Sequence, residues 1–131
     1  MMTLIYLDSS ALVKLAVWEA ESDALRRHLR RRQQWISSAL ARTEVLRALL
    51  GGGDQALAAG RGVLERCDLV RVNDRILALA GTLLPHELRS LDAIHLATAE
   101  RLRGEISELI TYDDRMADAA RSLGHRVTAP A

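Results

Sequence analysis

Short apolar runs alternate with longer stretches of helical spacing along this chain. The runs suit buried strands and lie at Leu4–Leu7, Trp35–Ser37, Leu69–Val72 and Leu109–Thr111, with a last one near Val127. Strands separated by helices favour a parallel sheet that is covered on both faces. The sequence therefore predicts an α/β fold with a central parallel sheet of about four to five strands flanked by helices.

The stretches between these runs carry apolar residues at spacings of three and four, which is the period of an α-helix. The predicted helices span Ser10–Val17, Glu21–Arg32, Ala41–Leu50, Asp54–Arg66, Asp74–Leu84, Ser90–Arg103 and Asp113–Leu123. Gly51-Gly52-Gly53 is a strong stop after the third helix, and Asp54 is the predicted cap of the next. Because chains usually split into domains only beyond roughly 250 residues, we expect residues 1–131 to form a single domain.

Composition narrows the class of protein. The chain has 131 residues, of which 49% are hydrophobic and 27% charged, an ordinary globular balance. Cys67 is the single cysteine, which excludes an intrachain disulfide and favours a reducing compartment. No apolar run approaches the roughly 20 residues of a membrane span, and the start lacks the basic region of a signal peptide. We therefore expect a cytoplasmic protein without a membrane segment.

Two acids follow predicted strands directly. Asp8 comes after the first strand, and Asp113 comes after the Leu109–Thr111 strand. In open α/β sheets, ligands bind beyond the carboxyl ends of the strands. If these two strands are neighbours, the two carboxylates face one another across that crevice.

Two further acids lie inside apolar helical patterns. Glu44 stands among leucines and valine near the start of its helix, and Asp92 stands in an apolar stretch that favours burial. A buried carboxylate is costly unless it is paired or holds a metal ion. These two positions therefore need a chemical explanation.

Each acid also has a structural interpretation. Asp8 and Asp113 could be helix N-caps, which is a common role of aspartate between a strand and a helix. Asp92 could be a first-turn acid favoured by the helix dipole, and Glu44 could pair with Arg47 or Arg42 on the surface. Capping does not explain why four acids converge on one edge of the sheet.

Four segments of the chain resemble the signature blocks of PIN-domain nucleases, and of the VapC-type toxins in particular. They are Leu7-Asp8-Ser9-Ser10-Ala11-Leu12-Val13-Lys14, Thr43-Glu44-Val45, Leu91-Asp92-Ala93-Ile94-His95-Leu96-Ala97-Thr98-Ala99 and Thr111-Tyr112-Asp113. The resemblance spans essentially the whole chain in the right order, although the Glu44 block is weak by itself. It implies a ribonuclease in which Asp8, Glu44, Asp92 and Asp113 form a catalytic pocket that holds Mg²⁺ or Mn²⁺. It also implies a homodimer, and a small antitoxin that blocks the site.

The resemblance extends to auxiliary residues. Ser9 and Thr111 match positions whose hydroxyls line such pockets. The motif favours Asp113 over the adjacent Asp114, which remains an auxiliary candidate.

The basic residues and the histidine near these blocks are open to two interpretations. Lys14 and Arg89 are candidates for contacts with RNA phosphates, and a surface role is the alternative for each. His95 lies one turn after Asp92 on the same helix face, so it could contact the site or be a core histidine that supports it.

The predicted donor set consists of oxygen atoms, which Mg²⁺ and Mn²⁺ prefer, and the absence of a Cys or His cluster argues against zinc.

A receiver-type phosphoacceptor would need an acid pair after the first strand and a late lysine, and a haloacid-dehalogenase-like phosphatase would need an Asp-x-Asp motif. The sequence has neither. The remaining alternative is a PIN fold that binds or regulates without cutting.

For an antitoxin, the expected docking stripes are the Leu25/Leu29 and Leu46/Leu49/Leu50 helix faces.

Overall fold

The computed structural model describes residues 4–32 and 34–131, and within them five parallel strands form one sheet. The strands are β1 (Leu4–Leu7), β2 (Trp35–Ser38), β3 (Asp68–Val70), β4 (Ile106–Ile110) and β5 (Val127–Thr128). Their order across the sheet is β3-β2-β1-β4-β5, so the first strand lies at the centre. The predicted α/β class with a central parallel sheet is confirmed.

Seven α-helices accompany the sheet in the described part of the chain. They are α1 (Ser9–Ala16), α2 (Ser22–Leu29), α3 (Ala41–Leu49), α4 (Gly53–Arg66), α5 (Asp74–Thr82), α6 (Ser90–Arg101) and α7 (Asp114–Ser122). Each matches a predicted helix within a few residues.

The two faces of the sheet carry separate cores because successive strand residues point in opposite directions. Ile5 and Leu7 of β1 pack with buried residues of α1 to α4 on one face. Tyr6, between them, packs with residues of α6 and α7 on the other face. Helix α5 packs against α6. Burial on both faces explains why β1 reads as a continuous apolar run.

Strand β4 begins three residues earlier than the apolar run suggests. The predicted run starts at Leu109, whereas the strand starts at Ile106 and includes Glu108. Glu108 is 5% exposed, and its carboxylate lies 2.5 Å from Nε2 of His28 on α2. Glu108 interrupts the apolar pattern of the strand, and its partner His28 is far away in the sequence. The start of β4 therefore could not be recognised from the apolar run.

The start of α4 also differs from the prediction. A short 3-10 turn over Leu50–Gly52 follows α3, and Gly53, with a φ of 84°, is the first residue of α4. The N-cap is therefore Gly52. Asp54 lies in the first turn of the helix, where the helix dipole stabilises a carboxylate. Glycine accommodates the positive φ at residue 53 without the steric cost of a Cβ atom.

Among the described residues, no helix is long and apolar enough to span a membrane.

Candidate active site

Three aspartates meet at the carboxyl edge of the sheet. Strands β1 and β4 are parallel neighbours with Leu7 opposite Ile110 in register. Asp8 therefore leaves the sheet beside the segment that leads from β4 to Asp113. Asp92 joins them from the first turn of α6. This is the edge at which the sequence places the acids.

Asp8 is 4% exposed and is held by three donors. The Thr111 hydroxyl donates to Oδ2 at 2.5 Å, and the Ser10 hydroxyl and the Ala11 amide donate to Oδ1 at 2.6 and 3.0 Å. Burial raises the pKa of the Asp8 carboxyl, and these hydrogen bonds only partly oppose it. The Ala11 contact makes Asp8 the N-cap of α1, which confirms the capping interpretation.

Asp113 also caps a helix while facing the other acids. Its Oδ1 accepts from the amide of Met116 at 3.1 Å at the start of α7. Its Oδ2 lies 3.7 Å from the Arg89 guanidinium, and its backbone amide donates to the Thr111 hydroxyl at 3.1 Å. Thr111 thus connects Asp8 and Asp113 directly.

Asp92 lies within electrostatic range of both other aspartates. Burial raises the pKa of its carboxyl, and the charges of Asp113 and Asp8 raise it further, against the opposing charge of Arg89. Arg89 Nε is 3.8 Å from Asp92 Oδ2, so its guanidinium lies beside both Asp92 and Asp113. The raised pKa of Asp92 thus reflects burial first and then repulsion by the two other carboxylates.

Glu44 reaches the site from α3 through a histidine. Its Oε1 lies 2.6 Å from Nε2 of His95 and accepts from the Ser9 hydroxyl at 2.5 Å. Burial alone would raise the pKa of Glu44, but the contacts with His95 and Ser9 outweigh it and lower that pKa. Glu44 is therefore bound to His95 and Ser9 and does not pair with Arg47 on the surface.

The auxiliary positions divide between these contacts. Ser9 binds Glu44, Thr111 binds Asp8, and Asp114 is exposed as the first residue of α7. The sequence interpretation missed Ser10, whose hydroxyl donates to Asp8 and accepts from the Tyr112 amide at 2.9 Å. Its position two residues after Asp8 was the available signal, because short Asp–Ser spacings favour such local hydrogen bonds.

Lys14 is not brought to the aspartates. Its ammonium lies 2.6 Å from Glu21 and 3.3 Å from Glu19, and 4.8 Å from the centre of the Tyr112 ring. Burial would lower the pKa of Lys14, but hydrogen bonds to the two glutamates outweigh it and raise that pKa. Its charge is thus already paired with two carboxylates.

The donor set suits a hard divalent cation, although the side chains do not surround one point. In residues 4–32 and 34–131, no three Asp, Glu, His or Cys side chains are grouped to hold an ion. The Arg89 guanidinium lies beside oxygens of Asp92 and Asp113. The available donors are carboxylate and hydroxyl oxygens, and the repulsion felt by Asp92 is what a cation would relieve. The residues present therefore fit a Mg²⁺ or Mn²⁺ ion.

A cavity of about 1010 Å³ opens beside the acids. It lies between the segment of residues 84–89 and helix α7, with Arg89 and Asp92 at one end. Leu84, Leu88 and Leu123 contribute apolar wall, and Arg115 contributes a second guanidinium.

The apolar stripes predicted as docking faces are largely buried. Leu25, Leu29 and Leu49 are 0%, 3% and 5% exposed and belong to the core between the sheet and its helices. Leu46 packs against the same core, and Leu50 is the exposed member at 56%. The prediction of the Leu25/Leu29 face was wrong because this α2 face covers the sheet instead of facing solvent.

Sequence comparisons agree with this architecture. A family model described as the PIN domain matches residues 5–122. The chain belongs to the PIN-domain family. Ribonuclease VapC46 of Mycobacterium tuberculosis is 64% identical over 129 residues, which cover 98% of this chain and 99% of that protein. Ribonuclease VapC35 of the same species is 43% identical over 131 residues, with 97% of each chain covered. Within the PIN-domain family, these relatives place the chain among the VapC proteins.

Solved structures share the fold at lower sequence identity. The VapC20 toxin of Mycobacterium tuberculosis, which cleaves the sarcin–ricin loop, has a TM-score of 0.76 and 18% identity, with 96% of this chain and 99% of that chain covered. A toxin–antitoxin complex from Klebsiella pneumoniae has a TM-score of 0.75 and 21% identity, with 97% and 98% covered. These likenesses support the helix-flanked parallel sheet.

Proposed function

We propose that this chain is an endoribonuclease that depends on Mg²⁺ or Mn²⁺ and acts as the toxin of a toxin–antitoxin pair. The observation that carries the proposal is the meeting of Asp8, Asp92 and Asp113 at one sheet edge, where burial and then the charges of Asp113 and Asp8 raise the pKa of Asp92. Relatives named as ribonucleases across nearly the full chain support the reaction class.

The proposed catalytic residues are Asp8, Glu44, Asp92 and Asp113. All four would hold the cation, and Thr111 and Ser9 would orient the carboxylates of Asp8 and Glu44 by hydrogen bonding. When bound, the cation would polarise the phosphodiester and lower the pKa of an attacking water. In its absence, the acids would repel RNA.

Arg89 is the proposed phosphate contact. Its side chain is 67% exposed, and its contacts with Asp113 and Asp92 are long, at 3.7 and 3.8 Å. A cation that takes over those carboxylates would release the guanidinium, whose fork suits a phosphate group. The adjacent cavity would then receive the RNA strand on one side of the cleaved bond. Asp114, exposed at the start of α7, has at most an auxiliary role.

The test is cleavage of a defined RNA by purified protein with Mn²⁺, with Mg²⁺ and with excess chelator. We expect cutting only with metal, and loss of most activity in Asp92→Asn, which keeps the shape of the side chain but loses its charge. The matched control is Asp54→Asn, an exposed acid in the first turn of α4. Full activity in chelator, or an active Asp92→Asn protein, would refute the mechanism; metal binding without any cleavage would favour a PIN fold that binds without cutting.

A cognate antitoxin is the proposed partner. An active ribonuclease would harm the cell that makes it, and one structural neighbour is a toxin–antitoxin complex. A 710 Å³ cavity between α1, α2 and α4 offers a docking surface. Leu29, which belongs to the predicted but buried Leu25/Leu29 stripe, contributes to its lining. Among the described residues that line this cavity, the ionisable side chains are Arg26, Arg30 and Arg66. That lining suits an apolar segment carrying acidic residues.

We propose further that the toxin is a homodimer and that it acts in the cytoplasm, where RNA and a newly made antitoxin are available. Leu77, Leu84 and Leu91 are 47%, 69% and 48% exposed and lie along α5, the following segment and the start of α6. Such side chains suit an interface between copies. Light scattering of the wild type and of Leu84→Glu tests this: a monomeric wild type would contradict the dimer.

A further inference from the structure

His95 is 1% exposed and connects the core of the sheet to the acidic site. Its Nδ1 lies 2.8 Å from the hydroxyl of Tyr6, a wholly buried residue of the central strand. Its Nε2 lies 2.6 Å from Glu44 Oε1 and 3.3 Å from the Ser9 hydroxyl. Three residues separated by 51 and 89 positions in the sequence thus form one continuous hydrogen-bonded chain.

The chemistry of these groups sets the direction of the hydrogen bonds. An ionised carboxylate only accepts, so the Nε2 atom that faces Glu44 carries a hydrogen. In a neutral imidazole, Nδ1 is then the acceptor, and the Tyr6 hydroxyl donates to it. Tyr6 therefore selects the tautomer that can bind Glu44.

We propose that Tyr6 and His95 are positioning residues that hold Glu44 in the geometry needed for metal binding and RNA cleavage. Both contacts to Glu44, from His95 and from Ser9, fall on Oε1. They fix the carboxylate while leaving the second oxygen, Oε2, uninvolved in either contact.

Glu44 and Asp92 approach the site from opposite faces of the sheet. The residue lies on α3, which packs on one face of the sheet, whereas Asp92 lies on α6, which packs on the other. His95 stands three positions after Asp92, so both project from the same face of α6. The histidine thereby ties the acid of α3 to the helix that carries an acid of the site. A free glutamate would lose side-chain entropy on binding a cation, and the contacts with His95 and Ser9 restrict the Glu44 side chain beforehand.

This inference rests on the proposed function, because it assigns the geometry of one acid of that site. Outer residues that orient metal-binding groups typically change metal affinity or activity by about 10- to 100-fold when they are replaced. We therefore expect about tenfold weaker Mn²⁺ binding by calorimetry in His95→Leu. His95→Gln should recover most of the affinity, since its amide can place an N–H near the position of Nε2.

His28→Leu is the matched control for His95→Leu. His28 also contacts a buried glutamate, Glu108, at 2.5 Å, but the pair lies on β4 and α2 away from the acids. Both replacements should lower the free energy of unfolding, whereas only the change at His95 should weaken Mn²⁺ binding and reduce kcat. Equal effects of the two on Mn²⁺ affinity would overturn the inference, as would a His95→Gln protein as impaired as His95→Leu.

Tyr6→Phe provides a second test that preserves the packing of the core. It removes one hydroxyl that does not touch Glu44, and we expect a severalfold loss of Mn²⁺ affinity. Tyr112→Phe is its control, because that hydroxyl binds the carbonyl of Pro130 instead. Unchanged Mn²⁺ affinity and kcat in folded Tyr6→Phe would show that Tyr6 is not a positioning residue. A wild-type protein that neither binds Mn²⁺ nor cuts RNA would instead refute the proposed function, which separates the two failures.

Discussion

The Thr111 hydroxyl donates to Asp8 Oδ2 at 2.5 Å across 103 positions of the sequence. The hydroxyl oxygen of Thr111 also accepts a hydrogen bond from the backbone amide of Asp113. One side chain directly after β4 therefore contacts both Asp8 and Asp113, which follow the neighbouring strands β1 and β4.

Replacing Thr111 with valine tests this arrangement. The variant keeps the shape but leaves an Asp8 oxygen and the Asp113 amide without their partner. Because a hydrogen bond to a charged group contributes about 1.5–3 kcal/mol, we expect a loss of unfolding free energy of that size and a lower cleavage rate. Urea denaturation and an RNA cleavage assay measure the two effects.

Thr128→Val is the control, since the Thr128 hydroxyl is buried without a hydrogen-bond partner among the described residues. Removing that hydroxyl should leave stability unchanged or raise it. Equal destabilisation by the two replacements would show that the Thr111 contact contributes nothing beyond packing.

Asp92→Asn should stabilise the metal-free protein while removing its activity. Asp92 does not cap its helix, and its raised pKa reflects burial and the charges of Asp113 and Asp8. Neutralising it relieves that repulsion, and we expect a gain of about 1 kcal/mol in unfolding free energy without metal. Added Mn²⁺ should then raise Tm less than in the wild type, because stabilisation by a ligand follows its affinity for the folded state. A lower Tm of the metal-free variant would contradict this account.

Arg89→Gln should bind Mn²⁺ more tightly and RNA more weakly. The guanidinium lies beside Asp92 and Asp113, where it competes with a cation, and it is the proposed phosphate contact. We expect a higher KM for RNA with a smaller change in kcat. Arg121→Gln, at an exposed pair on the far part of α7, is the control and should change neither quantity. If Arg89→Gln weakened Mn²⁺ binding, competition would be excluded.

His125 should make the stability of the protein depend on pH near neutrality. Burial, and then the charge of Arg103, lower the pKa of His125, against the opposing effect of Glu100. Between this lowered value and the ordinary value of about 6.5, the unfolded chain binds more protons than the folded one. Unfolding free energy should therefore fall as the pH is lowered below about 6.5, and His125→Gln should reduce that slope. His86→Gln is the control because its side chain is 90% exposed. An unchanged slope in His125→Gln would exclude this contribution.

The arginine-lined cavity predicts how the antitoxin binds. Arg30→Glu and Arg66→Glu reverse charge at the cavity. Each should reduce co-purification with the antitoxin, tested as the product of the small open reading frame next to this gene, and should leave RNA cleavage intact. Arg101→Glu, at the end of α6, is the control. Normal co-purification of both cavity variants would exclude this docking place. A chain that is harmless alone and finds no neighbouring partner would refute the toxin assignment even if it cuts RNA.

Much of the fold could be predicted from local patterns. A few consecutive residues are enough to recognise the apolar run of β1, the helical spacing of α6 and the acids that follow β1 and β4. Asp8 and Asp113 illustrate the limit, because each caps a helix and also lies at the site. Local chemistry accounts for the cap, while only the pairing of β1 with β4 brings the two together.

The sequence by itself determined the fold class, the family blocks and the four acidic positions, because periodicity and the acids after strands are properties of neighbouring residues. The tertiary structure decided which groups surround them. It paired Glu44 with His95, Glu108 with His28 and Lys14 with two glutamates, and it buried the predicted stripe of Leu25 and Leu29. The physical reason is that burial and charge pairing depend on groups brought close by packing across both faces of the sheet, and sequence spacing carries no information on those distances.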